Sequence, residues 1–286
     1  MKPQLINTAT ASAQNPSLPL SLIAEQVGST ISAGALHRAF ASEWYHLHIA
    51  RVKPFLSPTA RVKPNAWAEE FRDWSIQDWA DVIWSDECAF SLEQVFGPVW
   101  VTRRPREECV EDCLVPKFAK QTTIMVWGLI YRNLKGPLVI WDMTSWGRIN
   151  GPTYIEKIIH PYLHSWWTNL HQQDLSHSGY IYFQPDSAPA HRSKHAVAAF
   201  DEVGMASYLL PWPPSSPDIS PIETVWRVIK RQIIYRQPGA TSVPELSTAI
   251  QEEWDNLSSD EILDLISSVS QRVQDLLVSH GGHTTW

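Results

Sequence analysis

Between Asp81 and Leu210 the chain alternates short apolar runs, rich in β-branched and aromatic residues, with stretches of helical periodicity. That order allows few architectures. Val82-Ile83-Trp84 leads through Asp86 into Ala89-Phe90-Ser91-Leu92. Pro98 to Thr102, Thr122 to Tyr131 and Pro137 to Trp141 read as further strands. Thr153 to Leu170 is helical, with Tyr154, Ile155, Ile158, Ile159 and Tyr162 at helical spacing. Tyr180 to Phe183 is a short strand, His191 to Val203 a helix, and Ser207 to Leu210 a last strand. A proline-rich loop, Pro211 to Pro221, then opens a helix running to Arg236 with proline in its first turn. Consecutive strands followed by alternating helices and strands predict an α/β domain, a mixed sheet flanked by helices.

Three carboxylates stand at the borders of these elements. Asp86 lies in Trp84-Ser85-Asp86-Glu87, Asp186 in Gln184-Pro185-Asp186-Ser187-Ala188-Pro189-Ala190-His191, and Glu223 in Ser216-Pro217-Asp218-Ile219-Ser220-Pro221-Ile222-Glu223. Each alone has an ordinary reading as a strand end, a turn or a helix N-terminal acid. Brought to one sheet edge, they supply the hard oxygen ligands that two divalent ions about 3.5–4 Å apart need for phosphoryl transfer. Glu223, Arg227, Lys230 and Arg231 share one helix face, either a phosphate track beside a metal site or a surface salt-bridge ladder. His191 and His195 are four apart, but Arg192 follows His191 where a metalloprotease helix needs Glu. His191 could instead approach a phosphate or a metal site. Glu87 reads as a supporting or surface acid, and Asp218 as a loop cap.

These frames, with Ile124-Met125-Val126-Trp127-Gly128 and Gly281-Gly282-His283-Thr284-Thr285-Trp286, resemble those of mariner-like transposases of the DDE superfamily from about residue 20 onward. The resemblance implies an RNase H-like catalytic domain over 81–286 with Asp86, Asp186 and Glu223 as its metal-holding triad. It further implies two Mg²⁺ or Mn²⁺ ions, cleavage and strand transfer of DNA, at least a homodimer on DNA, and a nuclear location. Ser187 stands where the family usually has Asn, and Pro185 replaces part of the usual Gln-Asp junction. The first of two N-terminal DNA-binding modules is missing or truncated. The alternative is a catalytically inactive transposase-derived protein that binds DNA or protein.

Ahead of that domain, residues 1–17 read as a disordered lead and 18–57 as a helix-turn-helix-like DNA-binding segment. Leu22, Ile23, Ala24 and Val27 form one apolar face. Gly28 ends the first helix, and Ser32 is placed to cap a second through Trp44. His37 and Arg38 lie on the possible recognition helix, a shape that many small helical pairs share. Residues 58–80 read as linker and helix. The near-repeat Arg51-Val52-Lys53-Pro54 and Arg61-Val62-Lys63-Pro64 suits an extended basic linker, tracking phosphates or simply solvated. Asn65 to Trp79 is helical, with Trp67, Phe71 and Trp74 on one face.

The net charge of −7 does not favour DNA binding. Its distribution softens the objection, because residues 245–286 carry one basic against eight acidic side chains while the rest is nearly balanced. No apolar run is long enough to span a membrane. Three cysteines are too few for a disulfide framework, and Cys109 and Cys113 read as free thiols. No glycine-rich nucleotide loop occurs, so no ATP or NAD use is expected. The fifteen tryptophans fit core packing or base stacking.

Overall fold

The computed structural model describes residues 4, 7–8, 20–28, 32–45, 56–92, 123–173, 176, 178–186, 188–214 and 216–286. The chain divides into two compact units, Met1–Pro54 and Phe55–Trp286. The expected lead lies mostly outside the described residues, and its three described members are helical. Arg51, Lys53, Cys109, Cys113 and the expected strand Pro98 to Thr102 all lie outside them.

In the first unit, α1 (Leu20–Gln26) and α2 (Ala33–Ala41) flank a turn. Gly28 takes the left-handed φ of +68° that stops α1. Ala24 and Phe40 are buried, but Leu22 is exposed, so the expected apolar face is narrower than its sequence. Ser32 has extended N-cap backbone but makes no side-chain cap bond. His37 and Arg38 are exposed on α2.

The second unit opens with α3 (Pro58–Glu70), which corrects the linker reading. Ser57 accepts from the Ala60 amide at 3.2 Å and Pro58 fills the first turn, so the helix starts before Arg61-Val62-Lys63-Pro64 and runs through it. The proline that suggested a linker is a buried residue inside a helix. The predicted helix to Trp79 breaks after Glu70. Ser75 and Asp78 then form a capping box that starts α4 (Ile76–Ala80). Across the break, Trp67, Phe71 and Trp74 converge with Trp79, Trp84 and Trp212 at ring separations of 4.7–6.0 Å. These tryptophans are core, not stacking platforms.

Strands β1 (Val82–Ser91), β2 (Thr123–Tyr131), β3 (Leu134–Trp141) and β4 (Tyr182–Gln184) form one mixed sheet in the order β3-β2-β1-β4. β1 and β2 pair antiparallel, as do β2 and β3, and β4 joins β1 in parallel. The run at 207–210 is not a strand. It is a 3₁₀ turn, Ala206–Tyr208, after which Leu209 makes a single parallel bridge to Phe183.

Beyond β3 a short turn, α5 (Met143–Trp146), leads to one helical run. It comprises α6 (Gly151–Tyr154), a π-helical stretch Ile155–Leu163 containing Pro161, and α7 (His164–Gln172). With α8 (Lys194–Glu202) it covers one sheet face around Ile83, Trp127, Leu129 and Phe183. The other face packs Val82, Trp84, Cys88 and Phe90 against α3, α4 and the last four helices. Those are α9 (Pro221–Tyr235), α10 (Val243–Asn256), α11 (Ser259–Ser267) and α12 (Val269–Val278). Each of those faces buries apolar side chains at strand period two, so Asp86 points with Trp84 towards α9, while Ser85 and Glu87 point towards α6.

Gly128 sits opposite Asp86 in the β1–β2 register. A Cβ there would lie 2.8 Å from the Trp226 ring and 3.0 Å from that of Trp254. Gly128→Ala is therefore expected to lower stability by about 1–3 kcal/mol through overpacking. Urea unfolding checks this, and a midpoint unchanged from the natural chain would refute it.

Candidate active site

The three acids meet. Asp86 comes from the middle of β1, Asp186 from two residues beyond β4, and Glu223 from the first turn of α9. All three line one cavity of about 370 Å³, walled by Ser85, Gln184, Trp212, Pro214 and Pro217. The parallel β1–β4 register aligns Gln184 with Trp84, so Asp186, two residues beyond Gln184, comes out beside Asp86, which stays within β1. Among its described residues the proline-rich loop carries no regular element before a 3₁₀ step at Pro217–Ile219, and it then launches α9 with Pro221 at its start.

The acids feel one another. Burial, then the charges of Glu223, Glu87 and Asp186, push the Asp86 carboxyl up to about 8. Trp226 donates from Nε1 to Asp86 Oδ2 at 3.2 Å, a contact across 140 residues of sequence. Burial also raises Glu223, and Asp186 and Asp218 add to the rise, against Lys230 and Arg227. Asp186 moves the other way. Burial pushes it up, but the hydrogen bond and charge of His191 outweigh that, and the Ala188 amide donates to it at 2.9 Å.

His191 is the residue that sequence reasoning placed least well. It lies in the turn before α8, because Ser193 caps that helix by accepting from the Ala196 amide, so no His191–His195 helix pair exists. His195 is an exposed helix residue. His191 is buried, its ring 4.2 Å from that of Tyr154. Its Nδ1 bonds Asp186, and its Nε2 lies 3.1 Å from Glu87 Oε1. Burial works against its protonation, but the two carboxylates overcome this and push it up to about 10. The ring thus donates to both acids at neutral pH and fixes the Asp186 carboxylate. Glu87 joins the site through His191. The possible ligand atoms of Glu87, Asp186 and His191 all lie within 4.8 Å of one another.

The cation face is partly as expected. Arg227 and Arg231 are exposed on α9, whereas Lys230 folds its ammonium over the Phe90 ring, 5.4 Å from its centre. Asp218 reaches beyond its own loop. It accepts from the Thr284 amide and hydroxyl, both at 3.1 Å. Arg272, which carried no sequence signal, is buried below the same loop. It donates to the Asp218 carbonyl at 3.1 Å, the Ser220 carbonyl at 3.2 Å, Thr224 Oγ1 at 3.2 Å and Ser268 Oγ at 2.9 Å. The Trp286 ring covers its guanidinium at 4.7 Å.

The donor set fits divalent cations. Three carboxylates are turned into one cavity, and burial with neighbouring negative charge raises Asp86 and Glu223, the strain that a hard cation relieves. One wall also holds a buried carboxamide oxygen, Gln184 Oε1, without a hydrogen-bond partner among the described residues.

The family profile of the DDE superfamily endonucleases matches residues 81–243. The Tc1 transposase of Caenorhabditis elegans is 30% identical over 244 residues, covering 82% of this chain and 81% of its own length. The Tcb2 transposase of Caenorhabditis briggsae is 29% identical over 82% of this chain and 81% of its own. Among solved structures, the Mos1 transposase paired-end complex with left transposon end superposes with a TM-score of 0.75 at 13% identity, over 99% of this chain and 80% of that one. The catalytic domain of Mos1 mariner transposase superposes at 0.59 over 82% of this chain, in keeping with the expected RNase H-like fold. With three acids in the family's frames lining one cavity, the chain belongs to the DDE superfamily of endonucleases, among the mariner-like transposases.

Proposed function

We propose that this chain cuts DNA at the ends of a mobile element and joins the exposed 3′-hydroxyls to new sites, using two Mg²⁺ or Mn²⁺ ions held by Asp86, Asp186 and Glu223. The observation that carries this reading is the convergence of the three acids on one cavity. The ions would supply charge stabilisation and activation of the attacking hydroxyl. The protein's own work is orientation. His191 and the Ala188 amide hold Asp186, Trp226 holds Asp86, and the proline loop sets the start of α9 and with it Glu223. Arg227 and Arg231, exposed one and two turns along α9, would meet DNA phosphates, and the exposed Arg38 of α2 would add a further contact to DNA. Pairing two element ends calls for at least a homodimer, and the substrate implies a nuclear location.

Supercoiled plasmid in Mn²⁺ tests the reading. The natural chain should nick it, and Asp186→Ala or Glu223→Ala should lower the rate roughly 10³-fold. Equal nicking by natural and variant chains would sink the triad assignment. No nicking by the natural chain, on plasmid or on its own element ends, would favour an inactive binding protein.

A further inference from the structure

Gln184 has no explanation in the fold. It is 1% exposed, yet its Oε1 lacks a partner among the described residues. A buried carboxamide oxygen left unpaired is costly, and an apolar side chain of equal length would serve the core better. The neighbouring core is already aromatic and apolar, with Trp84 in register beside it and Trp212 across the cavity. The position, however, is not core alone. Gln184 lines the triad cavity, two residues before Asp186 and on the sheet face that carries Asp86.

Mg²⁺ and Mn²⁺ keep part of their hydration shell when carboxylates bind them, and those waters need acceptors. A further carboxylate would accept as well, but would add a fourth negative charge to the metal-free cavity. A neutral amide oxygen accepts without adding charge. We propose that Gln184 is a fourth protein contact of the divalent-cation site, its carboxamide oxygen accepting a hydrogen bond from a hydration water of the cation. This rests on the two-metal reading above.

The test compares Gln184→Met and Gln184→Glu with the natural chain, by Mn²⁺ titration in calorimetry and by thermal melting without metal. Gln184→Met should melt at or above the natural temperature, since an unpaired polar atom is removed. Its Mn²⁺ affinity should fall about tenfold or more, the range for losing an outer contact of a metal site, and nicking should fall with it. Gln184→Glu keeps an acceptor oxygen and should hold Mn²⁺ affinity within a few-fold.

Unchanged Mn²⁺ affinity in Gln184→Met would overturn the inference. So would a lower melting temperature with a parallel loss of activity, which marks a packing role, or loss of Mn²⁺ binding in a folded Gln184→Glu. If the natural chain neither binds Mn²⁺ nor nicks DNA, the two-metal reading fails and takes this inference with it. If it does both and the Met variant matches it, only the role of Gln184 fails.

Discussion

At pH 8, Asp86→Asn is expected to melt several degrees above the natural chain while nicking no DNA. Burial and the charges of Glu223, Glu87 and Asp186 raise the Asp86 carboxyl from 3.8 to about 8. A carboxyl whose folded pKa is raised contributes stability that is fully present below the unfolded pKa and lost as pH climbs to the folded value. The window is therefore about pH 4 to 8. Over it the natural chain should lose stability on the order of a few kcal/mol from this group, softened by coupling to its neighbours. Asn carries no charge and keeps an acceptor for Trp226, so the variant should lack that slope. A kcal/mol is worth roughly 2–4 °C in a domain of this size. Mn²⁺ should raise the melting temperature of the natural chain and leave Asp86→Asn nearly unmoved. Melting curves at pH 5 and pH 8 decide it, and a variant no more stable than the natural chain at pH 8 contradicts the crowded-carboxylate picture.

The second large effect belongs to Arg272. Its guanidinium is sealed, is bonded to neutral oxygens and is pushed down to about 10 by burial, then by Arg227. Arg272→Ala removes the guanidinium donors from the carbonyls of Asp218 and Ser220, leaves Thr224 Oγ1 with Arg227 as its donor, and opens space beneath Trp286. A loss of about 3–5 kcal/mol is expected in urea unfolding. Arg272→Met refills the space and should recover part of that stability. It should not recover activity, because Ser220 is the N-cap of α9 and Glu223 stands three residues on. An Arg272→Met chain that nicks DNA at the natural rate would show that the loop holds Glu223 without its cation.

The sheet and the meeting of Asp86, Asp186 and Glu223 at one cavity were legible because both write themselves locally. Strand alternation needs only neighbours, and each acid sits within a short frame whose prolines and small residues set a turn. The helix at 58–70 was misread for an equally local reason. Pro64 and the basic residues around it resemble a linker, and only the Ser57 cap and the burial of Trp67 reveal a helix. The bond from Trp226 to Asp86, the bridge from Glu87 through His191 to Asp186, and the hold of Arg272 on the Asp218–Ser220 loop join residues 52 to 140 apart, apart from the last few steps within the Asp186 frame. Contacts of that kind leave no period in the sequence. Gly128 was visible as a motif residue, but its reason was not, since the indoles that need its missing side chain arrive from α9 and α10.

The wide spacing of the three acids has a consequence for how the protein is made. A ribosome delivers Asp86 a hundred residues before Asp186, and Glu223 later still, while Arg272, which steadies the Glu223 loop, follows after that. Pairing of β1 with β2 and β3 is comparatively local, but closure of α9 and α12 over that sheet is not, and long-range closure comes late in folding. A half-made chain thus carries two of the cavity's three acids. In a growing chain the cavity therefore lacks its third acid until α9 has been made.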